Sequence, residues 1–217
     1  MKKLLQIFVS SIEAGILISL GGFVFLSYKE TNLFLASFLF SLGLVTIIAF
    51  KLYLFTGKVG YIFDNKPRYL LDLLLCWLGN LCGAIVTGEI LKLTRVDLQS
   101  VVTKMVNIKL NDTIGSIFIL SIFCGMMIYI AVETQKKEVS GVIKLFAIVI
   151  PVMVFIISGF EHCVANMFYF TYAGAWSWKS IGYLLIMTLG NGVGSLILWS
   201  LNYFIGLKDK KEENNSF

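Results

Sequence analysis

The residues best suited to chemistry lie together in one short segment. SGFEHCVAN, residues 158–166, holds the sole histidine of this 217-residue chain, His162, with Glu161 before it and Asn166 four positions on. An imidazole there can donate a hydrogen bond or take part in proton transfer, and so can recognise one small oxygen- or sulfur-bearing ion. The bland alternative is a buried histidine bonded to nearby backbone. Glu161 would either orient the ring or cap a broken helix, and Asn166 would tie the segment together. A second interruption, Thr56-Gly57-Lys58, falls in the apolar stretch KLYLFTGKVGYIF, residues 51–63. Thr56 offers a hydroxyl that both donates and accepts, and Lys58 offers a positive charge.

Both segments interrupt long apolar runs, the first between about residues 142 and 172. Polar groups and irregular backbone at membrane depth are tolerated only where protein surrounds them or where they line a water-filled path. The composition agrees with a membrane setting. Apolar residues make up 58% of the chain and charged residues 14%, against roughly 25% charged in an ordinary soluble domain. The mean hydropathy is +0.85.

Six stretches approach the roughly 20 apolar residues needed to cross the hydrocarbon: 11–28, 32–50, 70–91, 113–132, 142–170 and 181–205. The second and fifth read as broken helices. Met1-Lys2-Lys3 leads into a run without a small-x-small cleavage site, so this run is read as a first span and not as a removed leader. Six spans place both termini on one side. Lysine and arginine number nine in the loops of that side and six opposite, which predicts cytoplasmic termini. Lys51 and Lys144 are expected to reach an interface or pair with an acid, while Lys58 lies directly in the first loop and adds positive potential near a pore. Trp176 and Trp178 suit an interfacial belt, and the polar tail KDKKEENNSF is expected to be disordered.

The cysteines, Cys76, Cys82, Cys124 and Cys163, show no metal-ligand spacing and read as small buried hydrophobes. The net charge of +5 is spread over the loops and fits juxtamembrane lysines better than nucleic-acid binding. With one histidine and no clustered ligands, no metal, cofactor or enzymatic activity is expected. The chain also repeats itself. Gly79-Asn80-x-x-Gly83 returns as Gly190-Asn191-x-x-Gly194, and the two polar breaks precede these motifs at similar offsets. Three spans followed by three give halves of opposite orientation, the inverted-repeat plan of transporters and channels. The expectation is a single transmembrane pore domain over 1–217, with half-repeats at about 10–93 and 111–205 and a polar tail at 206–217.

FSLGL at 40–44, LFTG at 54–57, GNLCGA at 79–84 and PVMVFIISGFEHCVANMF at 151–168 can now be taken in order, with AGILISLGG at 14–22. Together they resemble the formate–nitrite transporter family over roughly residues 10 to 205. The resemblance implies an all-α integral membrane protein whose aquaporin-like protomer has six transmembrane helices, helices 2 and 5 broken, assembled as a homopentamer in a bacterial cytoplasmic membrane. It implies passage of a small monovalent anion or its conjugate acid, such as formate, nitrite or hydrosulfide, with a proton or as the protonated acid. His162 and Thr56 would face each other at the pore centre, between apolar constrictions at Phe40, Leu44, Leu54, Phe55 and Phe155. Three positions depart from the family pattern. Lys51-Leu52-Tyr53 replaces an acidic residue before LFT, Lys58 replaces a small or amide residue, and Gly125 stands where many members place a pore asparagine. An aquaporin-like channel for small neutral solutes is the competing reading.

Overall fold

A long apolar run without proline extends from the N-terminal lysines, and it forms one uninterrupted helix, α1 (Lys2–Tyr28). It is the first element of a computed structural model that describes residues 2–206, so the expected tail beyond Gly206 lies outside the described residues. The helices that follow are α2 (Leu33–Ala49), α3 (Phe55–Lys58, continuing as a 3-10 turn through Val59–Asp64), α4 (Tyr69–Lys92) and α5 (Gln99–Leu110). The rest are α6 (Ile114–Glu133), α7 (Gly141–Ile157), α8 (Cys163–Tyr172) and α9 (Trp178–Phe204). Side chains cap several starts: Asn32 accepts from the Leu35 N–H, Thr113 from Ser116 and Ser140 from Ile143, and Ser177 and Ser180 form a capping box.

Helices α1, α4 and α9, and α6 with its short 3-10 extension, are each long and apolar enough to cross a membrane. The other two crossings are made in pieces. Helix α2 runs 17 residues, turns back at 50–54 and resumes as α3, and α7 likewise runs 17 residues before 158–162 and α8. The expected six-span, twice-broken plan is therefore present, with shifted edges. The first helix starts at Lys2 and not at residue 11, and Thr56 and Lys58 sit on α3 and not in the loop. The outward surface carries large apolar side chains such as Phe34, Leu42 and Leu189, each more than 60% exposed, as a lipid-facing surface requires.

The inverted repeat is visible in how helices pair. Helices α1 and α4 run parallel in close contact, α6 and α9 do the same, and the second pair points the opposite way. Glycine permits the approach. A Cβ on Gly79 would lie 2.8 Å from the Phe8 carbonyl oxygen, and one on Gly190 would lie 2.8 Å from that of Phe118. The GNxxG motifs thus mark the same seam in each half. Gly125 belongs to this seam too: a Cβ there would collide with the Asn191 backbone, and its carbonyl accepts from the Ser195 hydroxyl. That departure from the family pattern concerns helix packing, because no side chain fits at that position.

Candidate functional site

Each broken helix ends the same way. After α2 the Phe50 and Leu52 N–H groups donate to the Thr46 and Ile47 carbonyls, and after α7 the Ser158 and Phe160 N–H groups donate to Val154 and Phe155. The reversal needs one left-handed residue, which is Lys51 (φ 56°) in the first loop and Gly159 (φ 71°) in the second. An asparagine then fixes each restart. Asn80 Oδ1 accepts from the Phe55 N–H at 2.9 Å while its amide donates to the carbonyls of Ser11 and Tyr53. Asn191 Oδ1 accepts from the Cys163 N–H at 2.9 Å while its amide donates to the carbonyls of Ser121 and Glu161. By this matching Leu54 stands where His162 stands, Tyr53 where Glu161 stands, and Lys58 where Asn166 stands.

The two restarts meet at a polar contact. Thr56 Oγ1 lies 2.9 Å from His162 Nε2, and both residues are buried. His162 is also the N-cap of α8, its Nδ1 accepting the Ala165 N–H at 3.1 Å. A nitrogen that accepts carries no proton, so the neutral ring has its proton on Nε2 and donates to Thr56. The threonine hydroxyl hydrogen is then left to serve another acceptor. Phe155 stacks on the imidazole (5.7 Å between centroids, 18° between planes), and Phe40 meets Phe155 edge-on at 5.8 Å. Leu44, Leu54 and Phe55 are buried as well, Leu54 as the residue before α3, and they belong with Phe40 and Phe155 to one hydrophobic core.

On the side opposite the chain termini a cavity of about 210 Å³ reaches His162, lined also by Lys29, Lys109, Phe155, Glu161, Asn166 and Tyr169. Glu161 Oε2 accepts from Lys109 Nζ at 2.6 Å and from Asn166 Nδ2 at 2.8 Å. Its expected roles, orienting the ring or capping the helix, are not what it does: His162 supplies the cap, and Glu161 is a paired carboxylate. Asn166 also donates to the His162 carbonyl, so it ties the loop as expected, while its Oδ1 is buried without a protein partner. Outside the membrane-spanning segments, burial and then the neighbouring Lys109 lower the pKa of Lys29. Lys58 has its ammonium 4.8 Å from the Tyr53 ring centroid, and its carbonyl accepts from Tyr69. Lys144 donates to the Gln135 carbonyl.

Two features escaped the sequence reading. Lys109 counted there as a loop charge, whereas α5 brings it within 2.6 Å of Glu161. The signal existed: Val102, Met105 and Val106 are the buried face of α5, and Lys109 falls on that stripe. Asn80 and Asn191 were read only as part of a packing motif, although polar amides repeated at mid-span call for backbone partners.

Comparison with known proteins places this geometry. The formate/nitrite transporter family model matches residues 1–205. The uncharacterized transporter YrhG of Bacillus subtilis is 31% identical over 61% of this chain and 48% of its own length. The formate channel FocA of Haemophilus influenzae is 25% identical over 74% of this chain and 64% of its own. The chain thus spans about half to two thirds of these relatives. A solved pentameric formate channel with formate bound superposes with a TM-score of 0.79 at 24% identity, over 95% of this chain and 99% of that one, a likeness of fold.

Proposed function

The chain belongs to the formate/nitrite transporter family, and from that premise we propose that it passes small monovalent weak-acid anions through a pore in each protomer, centred on Thr56 and His162. The family is one of transporters, and the chain is not an enzyme. Formate, nitrite and hydrosulfide are the candidate substrates. The observation that carries the reading is the Thr56–His162 contact, where the restarts of two broken helices meet between aromatic rings.

The chemistry follows from the ring's bonding. With Nδ1 engaged by the Ala165 N–H, His162 acts as a neutral donor through Nε2. An anion entering between the two groups receives Nε2–H from one side and the Thr56 hydroxyl from the other. Taking up a further proton would use the Nδ1 lone pair and cost the cap of α8. The proton that accompanies the anion therefore comes from hydronium of the vestibule, which is left as water, and the acid crosses as an effectively neutral species. Phe40 and Phe155 favour that species, because stripping a charge of its water is far more costly than moving a neutral acid. Lys109 and Lys29 draw anions to one mouth and Lys58 to the other. A homopentamer with cytoplasmic termini completes the proposal, supported by the pentameric channel of like fold and by the lysine and arginine bias of the loops.

The test is flux into proteoliposomes of formate, nitrite, hydrosulfide and lactate against glycerol, at several pH values, for the wild type and His162→Asn. Saturable, pH-dependent flux of one anion that the substitution changes is the expected result. Glycerol or water flux without anion flux would make the protein a neutral-solute channel and His162 a structural residue.

A further inference from the structure

One acid of the membrane-spanning helices is exposed at mid-depth. Glu13 lies on α1 about 16 Å along the axis from Lys2, by the 1.5 Å rise per residue. Its depth is fixed independently. The carbonyl of Ser11 accepts from Asn80 and Gly15 abuts the Asn80 backbone, so Glu13 is level with the asparagine that anchors the first broken helix. Its side chain points outward, on a stripe with exposed Gln6 and Val9, and no salt bridge is found for it among the described residues. A glutamate this far from either interface is too short to reach water.

The other half shows what lipid demands at this place. The bonding that matches Ser11 with Ser121 and Gly15 with Gly125 puts Phe123 at the position of Glu13. Phe123 is 43% exposed and stacks on Phe160, an apolar residue on an apolar surface. The same outward position thus carries a ring on α6 and a carboxyl on α1. Lipid offers a carboxyl no hydrogen-bond partner, whereas the polar groups of a neighbouring protein do.

We propose that the Gln6–Val9–Glu13 face of α1 is covered in the membrane by a second copy of this chain, with Glu13 hydrogen-bonded across the subunit boundary. This rests on the oligomeric reading above and specifies its geometry. Rings of more than two subunits join unlike surfaces, so in a pentamer Glu13 on one protomer meets a different face of the next.

The experiment combines oligomer mass in mild detergent, by light scattering, with carboxyl labelling by dicyclohexylcarbodiimide added to membranes. In the wild type the oligomer is expected intact and Glu13 protected from the lipid-soluble reagent. Glu13→Phe, which installs the residue of the other half, is expected to lose the oligomer while helix content by circular dichroism is kept. Glu13→Gln is expected to keep it. Rapid labelling of Glu13 within an intact wild-type oligomer, or an unchanged oligomer in Glu13→Phe, would overturn the proposal and leave the oligomeric reading standing. A monomeric wild type would overturn both.

Discussion

The loop after α2 and the loop after α7 follow the same backbone path, held by equivalent asparagines, yet they carry opposite side chains. The second has Gly159 at its left-handed turn, Glu161 and His162 before the restart, and Asn166 one turn into α8. The first has Lys51, Tyr53, Leu54 and Lys58 in those places. The shared part builds two half-helices that point at each other. The unshared part divides the labour: one half supplies the imidazole and a lysine held by a carboxylate, and the other supplies a hydroxyl and a lysine on the half-helix itself. Symmetry here belongs to the scaffold, and asymmetry to what it presents.

Removing the lysine of the second half should have the largest effect. Lys109→Met leaves Glu161 buried and uncompensated, a loss of about 3–5 kcal/mol, and Glu161→Gln in the same chain should recover most of it. Thermal midpoints in detergent measure both, and an unchanged single variant would mean that the pair does not bear on the fold. Next come the shared anchors. Asn80→Leu and Asn191→Leu each remove three hydrogen bonds, together worth roughly 3 kcal/mol at about 1 each, and the repeat predicts similar losses. A large loss in one alone would break the equivalence.

Smaller effects sharpen the contrast between the two mouths. Lys58→Met should weaken anion affinity from the side of the chain termini by about fivefold, near 1 kcal/mol, as seen in sided flux titrations. Unchanged flux and affinity would remove Lys58 from the transport account. Lys51→Gly relieves a left-handed residue that costs about 1–2 kcal/mol, so it should raise the thermal midpoint, whereas Gly159→Ala should lower it.

The sequence made the scaffold legible because apolar runs long enough to span a membrane are hard to mistake, and because the polar breaks within them are rare. GNxxG at matched offsets revealed the repeat. It did not reveal what the asparagines bond, since that depends on backbone brought from α1 and α6. His162 and Thr56 could be paired only through the family resemblance, as they are far apart in the chain. Helix α5 went unnoticed because it is short and amphipathic between two spans, and Lys109 went with it. Glu161 was misread for the same reason: its partner lies on that missing helix.

The central claim is that Thr56 and His162 act as one site. Anion flux of Thr56→Val, His162→Asn and the double variant in proteoliposomes tests it most directly. Each single change should slow flux by about tenfold or more, and the double should be little worse than the slower single, as expected of residues acting as a unit. Multiplying losses, or singles without effect, would contradict a shared central site.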